Sequence, residues 1–311
     1  MKHESLRTAY GQKLVELGKT NKNIVALEAD LGKSTMSCMF EAEYPERFFE
    51  MNIAEQNMAT FAGGLSLTGK IPFIHSFAVF SSSRCFEQLR QCVGVGHLNV
   101  KVCGSSAGLS DFGDGATHQC IEDIATMRVI PGMVVLEPVD ANQVRAMLET
   151  IVEYHGPVYF RTNRNDLRVI TPENEKFEIG KIYTAREGKD AVVYACGVMV
   201  SIALEAAELL AKDGISLKVL NVSTLKPLDN AYIRSFAEGM RAVVTAEEHS
   251  IVGGLNSVVC QALAGSYIGP VVPVALNDVY GFSTLDYDSL LNYFGFTPGC
   301  IADDVKKALG A

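Results

Sequence analysis

Short strand-like runs separated by helix-length segments recur through this chain, and that rhythm restricts the fold more than any other feature. Residues 24–28, 72–76, 100–103, 133–136 and 157–161 are such runs, and 6–17, 54–67, 84–93, 119–127 and 141–153 carry helical patterning. Strands joined through helices of about a dozen residues lie parallel, with helices covering both faces of the sheet. Ligands in open parallel sheets bind beyond the carboxyl ends of the strands, so the polar residues that follow each run are the first candidates for function. The run 24–28 ends at Ala29-Asp30-Leu31.

A second series follows, with strands predicted at 191–195, 217–221, 242–246 and 271–275 and helices at 198–212, 230–237, 255–264 and 301–309. Between residues 162 and 190 the periodicity fails in polar, charged sequence, with room for one edge strand at 177–183. The expected division is a larger first domain over 1–165, a linker over 166–189 and a smaller second domain over 190–311. Both are predicted to be doubly wound, three-layer α/β domains. A chain of 311 residues supports two cores, because a single core stops growing near ~250–300 residues.

The net charge of −9 argues against nucleic acid or an anionic membrane as partner. The N-terminus lacks the apolar core of a signal peptide, and no window approaches the ~20 apolar residues of a spanning helix. A cytoplasmic protein is expected. Cysteines 38, 85, 92, 103, 120, 196, 260 and 300 are scattered, with no C-x-x-C pair and no His/Cys metal spacing. They read as reduced, mostly buried thiols, and no metal site is expected within the chain.

The stretch Asn52-Ile53-Ala54-Glu55-Gln56-Asn57-Met58 opens the segment 54–67, which is rich in Ala, Gly and Leu and almost without charge. Such a segment forms a buried helix with Glu55 in its first turn, and a carboxylate there must be bonded to something. Asn52-x-x-Glu55 spells a capping box, in which Glu55 returns to the Asn52 amide. The alternative is a bond to a ligand.

Ile-Ala-Glu-Gln-Asn-Met-Ala, followed by Asp114-Gly115-Ala116-Thr117-His118-Gln119, resembles the pyrimidine-binding domain of transketolases. The stretch beginning Gly197-Val198-Met199, together with Lys226-Pro227-Leu228-Asp229 and Glu247-Glu248-His249-Ser250, resembles the transketolase C-terminal domain. The resemblance implies that Glu55 hydrogen-bonds the aminopyrimidine of thiamine diphosphate, with Phe77 and Phe80 as the aromatic walls and Asp30 also on the cofactor side. It implies that Asp114 contacts acceptor-sugar hydroxyls and that His118 lies near the reacting carbons. Arg7, Ser34 and Arg161 match positions that hold a sugar phosphate, although Ser106 stands where the family has a phosphate-contacting histidine. Full-length members carry a second half that binds magnesium and diphosphate. Gly113-Asp114-Gly115 with Asn142 mimics that signature, but it does not follow a strand directly and is rejected as a site.

The implied protein is the C-terminal subunit of a split transketolase. It moves a two-carbon ketol unit from a ketose to an aldose and is active only with an N-terminal, diphosphate-binding partner subunit, in a dimer of heterodimers. Thiamine diphosphate is the expected cofactor, with magnesium held mainly by the partner, and sugar phosphates are the expected substrates. The alternatives are a 2-oxoacid dehydrogenase β-type subunit, a deoxyxylulose phosphate synthase fragment, or a non-catalytic paralogue of the same fold.

Overall fold

In a computed structural model describing residues 2–311, the alternating runs form two principal sheets. The first has seven strands, in the order Thr224–Lys226, Val134–Leu136, Val158–Arg161, Lys101–Ser105, Ile71–Phe77, Ile24–Glu28 and Phe48–Glu50. All are parallel except Thr224–Lys226, which pairs antiparallel with Val134–Leu136. The second has five strands, in the order Val271–Leu276, Ala242–Ser250, Ala191–Ala195, Leu217–Asn221 and Tyr183–Arg186, with only the last antiparallel to its neighbour.

Successive strand side chains take opposite faces, and here neither face is open. Ile24 and Ala26 pack with Leu6, Tyr10 and Leu14 of the helix Leu6–Thr20 and with Leu148 of the helix Ala141–Glu153. Val25 and Leu27 pack on the other side with Met58 and Ala62 of the helix Glu55–Leu67 and with Met127 of the helix Asp123–Arg128. Burial on both faces is why these strands read as unbroken apolar runs. In the second sheet Val193 and Val192 divide between the same two layers. The chain is therefore a pair of three-layer α/β domains, as the rhythm of its sequence predicts. Among the described residues no helix is long and apolar enough to cross a membrane.

The structure differs from the sequence expectation at the boundary between the domains. Within 166–189, Asp166–Arg168 pairs with His3–Ser5, and Tyr183–Arg186 is an edge strand of the second sheet. The segment expected as a linker is thus tied at both ends. Thr224–Lys226 leaves the second domain to cover the edge of the first sheet, where Lys226 donates to the carbonyls of Arg128 and Ile130. A three-residue strand has no periodicity by which to announce itself, and capping an exposed sheet edge is what it achieves.

Two helices are shorter or wider than expected. The segment 84–93 opens into π-turns at Phe80–Arg84 and Leu89–Gly94 around Phe86–Gln88, and Ser82 Oγ bonds back to the Ala78 carbonyl at 2.6 Å. The helix expected over 119–127 starts only at Asp123. Gln119 is held by the carbonyls of Asp111 and Phe282, and Cys120 pairs with Gly108, which delays the first turn.

Candidate functional site

Of the residues singled out in the sequence, Phe77 and Arg161 each end a strand of the first sheet, and Asp30, Glu55 and Ser106 follow strand ends closely; Glu28, Glu50 and Ser105, which were not singled out, also end strands there.

Glu55 is the first residue of the helix Glu55–Leu67, which buries only one face, through Met58, Ala59, Ala62 and Gly63, and leaves Gln56, Asn57, Thr60 and Phe61 exposed, so the helix expected to be buried throughout is half open. The capping box does not form. Asn52 adopts a left-handed φ of 55°, and its amide donates to Glu50 Oε1 at 2.7 Å. The same oxygen accepts from the Asp30 amide at 3.1 Å, so Glu50 ties together the loops that follow two neighbouring strands. Glu55 is left with 3% of its surface exposed and accepts from Arg84 Nη1 at 2.8 Å.

Phe77 and Phe80 stack with ring centres 6.2 Å apart and planes inclined by 16°. Phe77 ends its strand and is buried, whereas Phe80 opens the first π-turn and is half-buried. His118 meets both rings edge-on, at 6.1 and 5.5 Å. The guanidinium of Arg84 lies over Phe80 at 4.5 Å and that of Arg164 over Phe77 at 5.5 Å. Two aromatic faces are thereby bordered by an imidazole, two cations and, through Arg84, a buried carboxylate.

His118 follows the short turn Gly115–Thr117, and its Nδ1 lies 2.9 Å from Thr117 Oγ1. Asp114 immediately precedes that turn and is exposed. This loop is clamped from the second domain. The Thr284 amide donates to the Phe112 carbonyl at 2.9 Å, Gln119 Nε2 donates to the Phe282 carbonyl, and the Leu109 amide donates to Glu248 Oε1 at 2.8 Å. Glu248 also accepts from Asn163 Nδ2 at 3.3 Å, and burial pushes its pKa up to about 8. Gly108 turns here with φ of +65°, and a Cβ on it would stand 2.5 Å from the Glu248 carboxyl carbon. Only glycine suits both the turn and the approach.

Arg7 and Ser34 come together, with Arg7 Nη1 donating to the Ser34 carbonyl at 2.6 Å and Arg7 Nε to the Arg164 carbonyl at 3.1 Å. Burial and then the neighbouring Arg164 cation lower the pKa of the Arg7 guanidinium. Arg164 pairs with the buried Asp111 at 2.7 Å and carries the cluster across to Phe77. The Ser105 and Ser106 hydroxyls are buried beside these loops without a hydrogen-bond partner. Below them, Glu28 accepts from Thr35 and Ser37 and from the Ala29 and Leu31 amides. Burial raises its pKa to about 7 despite those bonds.

Arg161 departs from its expected role. Its side chain is wholly buried, with Nε on Asp123 Oδ2 and Nη1 on Glu137 Oε1, each at 2.8 Å. Tyr159 donates to the same Asp123 oxygen at 2.7 Å. A guanidinium consumed by two carboxylates in the core is not available to a substrate phosphate. Arg164, three residues on, is partly exposed and has a single carboxylate partner, Asp111. Asn142, the far half of the rejected magnesium signature, is likewise engaged elsewhere, donating to the Thr171 carbonyl and accepting from Arg145.

Arg84, Arg164, Asp111 and Glu248 were not anticipated as parts of this site. Arg84 had a signal, since it follows Phe80 by four residues and a helical spacing brings the two side chains together. Arg164 had a weaker one, lying in the polar loop beyond the apolar strand that holds Arg161. Glu248 entered only within the motif Glu247-Glu248-His249-Ser250, with no role at this site, and nothing in the sequence pointed to Asp111.

Comparison with known proteins accords with this arrangement. Residues 2–169 match the family description "Transketolase, pyrimidine binding domain", and residues 180–301 match "Transketolase, C-terminal domain". A putative transketolase C-terminal section from Methanocaldococcus jannaschii is 42% identical over 310 residues, covering 99% of this chain and 97% of its own length. A 6-deoxy-6-sulfo-D-fructose transketolase subunit from Clostridium sp. (strain MSTE9) is 42% identical over 292 residues, covering 94% of this chain and 90% of that one. A solved structure described as a split gene transketolase, inactive beta4 tetramer, superposes with a TM-score of 0.90 at 44% identity, covering 99% of each chain. With both halves of the chain matched and relatives of this identity along nearly its whole length, the chain belongs to the transketolase family.

Proposed function

We propose that this chain is the C-terminal subunit of a two-polypeptide transketolase that uses thiamine diphosphate and transfers a two-carbon ketol unit from a ketose to an aldose. The observation that carries the reading is the carboxylate of Glu55, buried at the head of an apolar helix and linked through Arg84 to the stacked pair Phe77 and Phe80. A flat heterocycle that donates an N–H suits that setting. The guanidinium found there is itself a flat N–H donor, which supports the fit. When bound, thiamine diphosphate supplies an electron sink for breaking and forming carbon–carbon bonds beside a carbonyl.

The chain's own residues divide the remaining work. Glu55 accepts an N–H from the pyrimidine and fixes its protonation, Phe77 and Phe80 stack against it, and Asp30 borders the same strand ends. The exposed Asp114 carboxylate accepts from sugar hydroxyls. His118, engaged at Nδ1 by Thr117, keeps Nε2 to exchange a proton with a substrate oxygen. Arg7, Ser34 and Arg164 form the anion-binding group, and Arg164 replaces Arg161 in that role. Sugar phosphates are the substrates of this reading. The sulfonated sugar in the name of the Clostridium relative is a second tetrahedral anion that such a cluster accommodates.

Magnesium and the diphosphate belong, on this reading, to an N-terminal partner subunit, and the assembly is a dimer of heterodimers in the cytoplasm. The "C-terminal section" and "split gene" descriptions of the relatives support the division. Transketolase names on both relatives at 42% identity favour this over a 2-oxoacid dehydrogenase subunit. The test is co-expression with the product of the adjacent reading frame, copurification, and a thiamine-dependent ketol-transfer assay over phosphorylated, sulfonated and neutral sugars. Activity of this polypeptide by itself would refute the division of labour. A copurified pair with no ketol transfer on any sugar would refute the function.

A further inference from the structure

Arg84 is a cation that the proposed chemistry does not ask for, set against the group it most depends on. Its guanidinium makes two contacts. Nη1 donates to Glu55 Oε1 at 2.8 Å, and the plane lies 4.5 Å over the ring of Phe80. A pyrimidine held by this chain needs both of them, a hydrogen bond into the Glu55 carboxylate and an aromatic face to stack on. Guanidinium and a pyrimidine protonated on its ring nitrogen are both planar and both present N–H to an acceptor, so each can satisfy the same carboxylate and lie on the same ring. They cannot do so together.

The two partners are unequally anchored. Glu55 is 3% exposed at the head of its helix and has nowhere to go, whereas 47% of the Arg84 side chain is open to solvent. Among the described residues the bond to Glu55 is the only hydrogen bond that the Arg84 guanidinium makes. Arg84 is also the last residue of the π-turn Phe80–Arg84, where Ser81 and Ser82 bond back to the Ala78 carbonyl. Wide turns of this kind depart from α-helical spacing and are concentrated at functional sites. A bridge built for stability alone would be buried on both sides and bonded further on both sides, as Arg161 is with Asp123 and Glu137.

We propose that Arg84 is an internal stand-in for the cofactor's aminopyrimidine. In the subunit without cofactor it pairs the buried Glu55 carboxylate and covers Phe80. On cofactor entry it swings out to solvent and surrenders both contacts. Arg84 is thus a positioning residue that pairs the buried Glu55 carboxylate and holds it directed into the cleft, at a cost in cofactor affinity. The inference rests on the proposed role of Glu55 and adds to it the exchange of one planar donor for another.

Arg84→Met keeps the aliphatic stem and removes the guanidinium at a half-exposed position, so the fold is expected to be retained. In the isolated chain, thermal unfolding of wild type, E55Q, R84M and the double variant forms a cycle, and the two single effects are expected to be non-additive. In the assembled pair of subunits, thiamine diphosphate is titrated at equilibrium by the near-ultraviolet circular dichroism of the bound cofactor. R84M is expected to bind it about fivefold more tightly than wild type, corresponding to about 1 kcal/mol. A merely structural bridge would leave this constant unchanged. Unchanged or weaker binding by R84M overturns the exchange, as does additivity in the isolated chain. A wild-type pair that binds no thiamine diphosphate overturns the proposed function, and the exchange falls with it, while the cycle in the isolated chain reports separately on the Glu55–Arg84 bond.

Discussion

Replacing Arg161 by methionine separates two accounts of the same residue. By its place in the sequence it should hold a substrate anion, so the variant would keep its stability and lose affinity for charged sugars. In the structure its guanidinium is completely buried between Asp123 and Glu137, both at 2.8 Å. Its removal leaves Asp123 with the Tyr159 hydroxyl and takes from Glu137 the bond to its Oε1, while Asp123 Oδ1 and Glu137 Oε2 already have no partner. Breaking a buried pair from one side costs ~3–5 kcal/mol, because the stranded charge has no water to return to. For a domain of this size that lowers the melting temperature by roughly 10 °C. Calorimetry of the isolated chain gives the shift, and steady-state kinetics with the partner subunit gives KM for charged and neutral sugars.

The control is Arg164→Met. Its pair with Asp111 is buried on the carboxylate side but about one-third exposed on the arginine side, where water can reach it, so melting should fall by less than in R161M, while KM for an anionic sugar rises at least tenfold over that for a neutral one. Adding D123N and E137Q to R161M should recover much of the lost stability, since the uncompensated charges and not the missing side-chain volume dominate the cost. A melting temperature for R161M within about 2 °C of wild type, together with a selective rise in KM for charged sugars, would show the structural argument to be wrong.

Three further outcomes follow from the same geometry. Glu55→Gln keeps an oxygen acceptor at Oε1 for Arg84 but removes the charge; melting should shift by under ~2 kcal/mol while thiamine diphosphate binding and ketol transfer by the pair are lost, measured by titration and assay. Gly108→Ala forces a side chain to φ of +65° and against Glu248 at 2.5 Å, so it should destabilise the chain by more than ~2 kcal/mol and loosen the loop of His118, read by calorimetry and amide exchange. For Glu248, burial raises the folded pKa from 4.5 to about 8. The folded state then holds a proton that the unfolded state releases near 4.5, so this contribution to stability is complete below that pH and is lost as pH rises through about 8. Glu248→Gln does not titrate, so its melting temperature relative to wild type should climb between pH 5 and 9; a constant difference would contradict the burial argument.

Which features could be read from the sequence depends on how far apart the interacting groups lie along the chain. The alternation Ile24-Val25-Ala26-Leu27 commits neighbouring side chains to opposite faces, and since all four are apolar, both faces had to be covered. That is a local statement, and the layers follow from it. The placement of Glu55 in the first turn of an apolar helix was equally local. Its partner was not, because the same four letters that spell a capping box also permit Asn52 to turn left-handed and give its amide to Glu50. Arg161 and Arg164 differ in the sequence by three positions and little else. What assigns one to the core and the other to the cleft is Asp123 and Glu137, 38 and 24 residues away, against Asp111 at a distance of 53. Burial of a cation is decided by where two carboxylates of other elements arrive, and no pattern within a window of one helix or strand contains that information. The same holds for Glu248, which lies two residues beyond the strand expected at 242–246 and acts as the acceptor for the Leu109 amide 139 residues earlier. The charged groups of this site are thus its least legible part, while the aromatic and helical parts that shape the cleft are the most. A variant series aimed at the charges therefore tests the structure, and one aimed at the apolar walls tests little more than the sequence pattern.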